Sequence, residues 1–163
     1  MNPYQKRLHD LGWVDSSGQV RHPSDEASLR KMFRDFLAAE LISSFDSCVS
    51  HAQDFVLSSE MKTKATSGSS VYEEEKKFRG ALGALTDDQK SAVCDLLYRV
   101  AEQSFFSALV TLDQFPGGEL SIQVDPSSCD GPKQLVQIHP GDLDLHDEFY
   151  GWLSDFSQIK DET

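Results

Sequence analysis

The chain has 163 residues, the length of one ordinary domain and enough to bury a single core. With 39% apolar and 26% charged residues it has the make-up of an average globular protein, which excludes collagen-like, disordered and disulfide-dense chains. Fifteen Lys and Arg against 27 Asp and Glu leave a formal net charge of −12, the opposite of the basic footprint that general nucleic-acid binding requires.

The N-terminus, MNPYQKRLHDLGW, carries charges with no apolar run behind them, unlike a secretory signal. No stretch reaches the roughly 20 apolar residues of a membrane span, and the apolar run from Phe105 to Leu112 is far shorter. Three cysteines, Cys48, Cys94 and Cys129, are an odd number without CxxC spacing. They fit free thiols in a reducing cytosol, so a cytoplasmic protein with no membrane partner is expected.

Residues 1–23 read as a lead-in, with Tyr4, Leu8, Leu11 and Trp13 on one short helical stripe. Ser24 is placed to cap the next helix, with Asp25 and Glu26 in its first turn. Leu29, Phe33, Phe36, Leu37, Leu41, Ile42 and Phe45 then recur at steps of three and four, the period of an amphipathic helix. The pattern continues through Val49, Ala52, Phe55 and Val56, as one helix over 25–58 or two broken near Ser43–Ser47. Residues 58–70 are Ser-rich and polar and predict a mobile loop. A weaker helix follows over 71–85, with Phe78, Leu82 and Leu85 facing inward.

Thr86-Asp87-Asp88-Gln89 is a capping box, in which the Thr hydroxyl accepts from the N3 amide and the Gln side chain reaches back. The helix behind it is apolar over a broad face, from Ala92 through Leu96 and Val100 to Leu112, and reads as central. Phe115-Pro116-Gly117-Gly118 stops it. The period then becomes two: Leu120, Ile122 and Val124 form one strand, and Leu135, Val136 and Ile138 a second, predicting an antiparallel hairpin packed on helices. The last helix starts near Asp142 or Asp144 and aligns Leu145, Phe149, Trp152, Leu153 and Phe156. The expected class is α+β, mainly α: a helical domain with a small antiparallel β-hairpin and a closing C-terminal helix. No Pro/Gly-rich linker parts two cores, so 1–163 reads as one domain with a frayed tail at 158–163.

The charge is uneven. Residues 1–110 hold 16 acids and 13 bases, whereas 111–163 hold 11 acids and only Lys133 and Lys160. An electronegative C-terminal third would steer a basic protein partner through its rate of encounter. Asp142, Asp144, Asp147 and Glu148, with the off-stripe aromatic Tyr150, are the residues expected to make that contact.

Chemistry has little support. The segment from His139 to Glu148 holds two His and four carboxylates, the composition of a divalent-metal site, with His139 and His146 as candidate ligands. It contains neither HExxH nor DxDxDG, and helix-start chemistry accounts for Asp142, Asp144 and Asp147. Cys48 and His51 share a helix face without an orienting third group. GxGxxG, GxxxxGK[ST] and GxSxG are absent, so no catalytic residue and no cofactor is predicted.

The general character, a small acidic cytosolic domain without catalytic motifs, resembles that of bacterial immunity and inhibitor proteins. The likeness is one of composition. It implies a non-enzymatic domain that blocks a basic toxin or nuclease, with carboxylates standing in for phosphates. Two alternatives stand beside it: a metal-binding domain or metal-dependent enzyme using 139–148, and a homo-oligomer subunit joined through an apolar patch of the first long helix. The oligomeric state itself is left open.

Overall fold

The computed structural model describes residues 1–58, 66–114 and 144–159, and the backbone of 121–124 and 134–137. Its helices are α1 (Pro3–Asp10), α2 (Glu26–Leu57), α3 (Ser70–Gly83), α4 (Asp87–Asp113) and α5 (Leu145–Phe156). The chain divides into two compact units, one of Met1–Asp46 with Phe105–Thr163 and the other of Ser47–Ser104.

Local chemistry explains most helix boundaries. Asn2 and Gln5 form a capping box around Pro3, with Gln5 N–H donating to Asn2 Oδ1 over 2.7 Å. Gly12, at φ +83°, ends that turn in the left-handed conformation that suits glycine. The cap of α2 is Asp25 rather than Ser24: its carboxylate accepts from Ser28 N–H at 2.8 Å, a bond that holds its pKa below the usual carboxylate value. No Gly or Pro interrupts residues 26–57, and α2 runs unbroken through Ser43–Ser47. At α4 the capping box forms as its spacing predicts. Thr86 N–H donates to Gln89 Oε1 at 2.9 Å, and Gln89 N–H to Thr86 Oγ1 at 3.3 Å.

The first unit owns the larger described core. Phe45 is fully buried and meets Phe105 and Phe149 edge-on, at centroid distances of 5.4 and 6.2 Å. The core cluster of this unit takes Leu29, Met32, Phe33 and Ile42 from α2, Leu109 from α4, and Leu145, Phe149, Trp152 and Phe156 from α5. Val14, bridged to Val20, joins them from the lead-in.

The expected α+β class is corrected to a helical one: five helices dominate the described residues, and helical residues, with Val14, supply the described core. The β-hairpin expected as a packed element of the domain is not seen in that role. The backbone of β1 (Ser121–Val124) pairs antiparallel with β2 (Gln134–Gln137), Ser121 opposite Gln137, in a sheet of two strands. Two four-residue strands are too little to form a stable layer of their own. Period-two alternation reports local backbone preference.

The second unit departs from the apolar pattern. Phe78, expected inside, is 63% exposed, and the neighbouring Arg79 is buried instead. Its guanidinium pairs with Glu75 at 2.7 Å, donates to Ser58 O at 2.7 Å and Phe55 O at 3.4 Å, and lies 4.2 Å over the Phe55 ring. A cation thus closes the C-terminal end of α2, where carbonyls are left without helix partners. Leu96 (62% exposed) and Val100 likewise face outward, so part of the broad apolar face of α4 is left in solvent. Val49, Val56, Cys94 and Tyr98 are buried here.

Arg79→Met keeps the side-chain length and removes the pair, the carbonyl bonds and the stacking. We expect a loss of about 2–4 kcal/mol in urea unfolding. A change below about 0.5 kcal/mol, the range of ordinary surface substitutions, would show that Arg79 is not a structural cap.

Candidate functional site

The residues singled out for partner or metal binding that the structure describes lie on α5, so the way α5 is held decides what they can do. Asp144 occupies its N-cap position but makes no side-chain capping bond. That task falls to Asp113, the last residue of α4, whose side chain is 2% exposed. Its Oδ1 accepts from Leu145 N–H at 3.0 Å and its Oδ2 from His146 N–H at 2.9 Å. At the other end of the helix, buried Asp46 of α2 accepts from Ser157 Oγ at 2.6 Å and Gln158 N–H at 2.7 Å. Tyr4 Oη donates to the same carboxylate at 2.7 Å; burial first, and then that carboxylate, push the phenol pKa upward. Gln158, placed by its sequence in the tail, is therefore anchored.

Asp113 Oδ2 also meets His146 Nδ1 at 2.7 Å, while His146 Nε2 stands 3.4 Å from Asp147 Oδ1. The imidazole packs edge-on against Phe106, centroids 5.6 Å apart. Its pKa is raised above 6.5 chiefly by the Asp113 bond; partial burial opposes this, and the charges of Asp147, Asp113 and Asp144 add to it. This carboxylate–imidazole pair positions a ring whose second nitrogen faces Asp147.

The expected contact residues divide into three groups. Asp144, Asp147 and Tyr150 follow one another at three-residue steps and are all exposed, Asp147 with 72% of its side chain in solvent. Tyr150 is 52% exposed, yet its ring is held by Phe106 and Phe149 at 5.7 and 5.5 Å. Glu148 is different: it is half-buried and ion-paired with Arg34 of α2. His139 and Asp142 lie outside the described residues. For metal ligation, Asp144, His146 and Asp147 bring one donor atom each within 4.8 Å of one another.

The other candidate pair does not assemble. Cys48 is exposed, while His51 Nδ1 is engaged with the Ser47 carbonyl at 2.8 Å. Cys94 is buried, and burial followed by the neighbouring Asp95 charge pushes its thiol pKa up, away from the thiolate that a nucleophile needs. Cys129 lies outside the described residues.

Asp113 was not singled out in the sequence, although a signal existed. An acid closing a helix sits against the negative end of its dipole, and the last turn of α4 holds no basic residue to balance it. Such a locally unfavourable residue points to a partner elsewhere in the chain. No helix of the described residues is long and apolar enough to cross a membrane. Comparison with protein-family models, curated proteins and solved structures finds no match.

His146 generates a pH test. Because its folded pKa is raised, its stabilising contribution is fully present below the unfolded value and is lost as pH rises through the folded one. Thermal unfolding of the wild type should therefore show a decline above about pH 6.5 that His146→Gln lacks. Equal slopes in the two proteins across about pH 5 to 9 would remove the Asp113–His146 pair as a titrating interaction.

Proposed function

We propose that the protein is a non-enzymatic interaction domain that binds a basic protein through the outer face of α5. The observation that carries this reading is Tyr150: an exposed aromatic already fixed by two neighbouring rings, in line with Asp147 and Asp144. A pre-ordered aromatic loses little freedom on binding, and acids beside it select a cationic partner and speed encounter. Of the described acids expected to act, Glu148 is half-buried against Arg34, whereas Asp144 and Asp147 are exposed on this face. The acid-rich C-terminal third supplies the long-range field. An immunity or inhibitor role, with the carboxylates occluding the cleft of a toxin or nuclease, is the form of this function we favour. A cytoplasmic location is supported by the free thiols Cys48 and Cys94.

The test is capture of proteins from the source lysate at low and high salt, with the wild type, Asp144→Asn/Asp147→Asn and Tyr150→Ala compared. A basic protein held by the wild type at low salt should be lost at high salt and depleted with either variant. If both variants retain the same proteins as the wild type, this face of α5 is not the contact.

A second reading rests on Asp144, His146 and Asp147, whose donor atoms lie close enough to share a divalent cation, with Asp113 orienting the imidazole. Calorimetric titration with zinc decides it. Dissociation constants below about 1 mM that weaken in His146→Gln support a metal site, and no binding in that range excludes one.

A further inference from the structure

A cleft of about 510 Å³ opens between α2 and α5. Its α2 wall carries Arg30, Lys31 and Arg34, a concentration of cations in a chain of net charge −12. Its α5 wall carries Glu148, paired with Arg34, and Asp155, which meets Arg7 at 3.3 Å in an exposed and therefore weak pair. Trp152 and Gly151 lie among the lining residues of that second wall. Asp35, which also lines the cleft, is engaged by Lys31 at 2.9 Å and by the Trp13 indole N–H at 2.6 Å.

Gly151 is the informative residue. It sits inside a helix, where glycine is less stable than alanine. Its φ is not positive, and a Cβ added there would meet no atom within 4 Å. Neither backbone conformation nor close packing therefore requires glycine at this position. What its missing side chain leaves is space on the cleft side of α5.

The two walls define the ligand. A simple anion attracted to the α2 wall would face Glu148 and Asp155, and a simple cation would face the arginines. A molecule bearing both charges satisfies both walls. The Arg34–Glu148 ion pair bridges the walls, so a ligand whose two charges lie close together would replace it, its anionic group taking Arg34 and its cationic group Glu148. Arg30 is held by Glu26 in an exposed pair on its own helix, a weak competitor for a ligand carboxylate. The volume lies within the range of small-molecule sites.

We propose that this cleft binds a free α-amino acid with an apolar side chain. The carboxylate lies toward Arg30 and Arg34, the ammonium toward Asp155 and Glu148, and the side chain against Trp152 in the space beside Gly151. Asp144, Asp147 and Tyr150 are not among the residues that line this site.

The experiment is calorimetric titration of the full chain with L-leucine, L-methionine and L-phenylalanine, and with phenethylamine and 3-phenylpropionate, which each keep one charge. At least one amino acid should bind with a dissociation constant of about 1 mM or tighter. The single-charge analogues should bind roughly tenfold or more weakly. Gly151→Leu fills the cleft with a good helix former, so its melting temperature should hold or rise while amino-acid binding disappears. Asp144→Asn/Asp147→Asn should bind like the wild type. Three outcomes overturn the proposal: no saturable binding of any amino acid at about 10 mM, single-charge analogues binding as tightly, or Gly151→Leu binding unchanged.

Discussion

The placement of α5 depends on two acids that lie outside it. Asp113 satisfies the first amide groups of the helix and Asp46 fastens the residues that follow its end. A carboxylate accepts hydrogen bonds and donates none when ionised, so withdrawing one from water is tolerable only where several donors converge on it. Both sites meet that condition, Asp113 with two backbone amides and an imidazole, Asp46 with a hydroxyl, a phenol and an amide. With both ends fixed, the rotation of α5 is fixed as well. Leu145, Phe149, Trp152 and Phe156 turn into the core, and Asp144, Asp147 and Tyr150 turn to solvent.

That rotation also sorts the charge. Glu148 and Asp155 lie on a flank of α5 where Arg34 and Arg7 reach them, the latter at 3.3 Å. Asp144 and Asp147 are exposed beside Tyr150. The same flank, with the cations of α2 opposite, becomes a cleft of mixed charge. One short helix thus presents two faces of different chemistry, an acidic aromatic edge and a wall of the dipolar cleft.

The unit of Ser47–Ser104 follows a different rule. Its helices hold apolar residues in helical register, yet Val71, Phe78, Leu96 and Val100 are exposed while an arginine is buried. The guanidinium is favoured at that position because it does two things a phenylalanine cannot: it caps carbonyls and pairs with Glu75, while also lying over Phe55. Apolar spacing describes a possible face of a helix, and burial depends on whether another element covers that face.

Much was legible before any coordinates. Period and capping chemistry located α2, α4 and α5, placed the Thr86–Gln89 box, and identified the inward stripe of α5. These are interactions among residues three or four apart, and local rules read them well. One residue of error at the α2 cap reflects competition between Ser24 and Asp25, equally suitable by type. What tertiary structure alone decided lies at long separation: Asp113 caps a helix 32 residues on, and Asp46 binds Ser157 across 111 residues. It also decided that Arg79 rather than Phe78 is buried, and that Glu148 is already paired. Each outcome turns on which groups arrive opposite a given side chain once the helices pack, and a sequence read through its neighbours alone holds no record of that arrival.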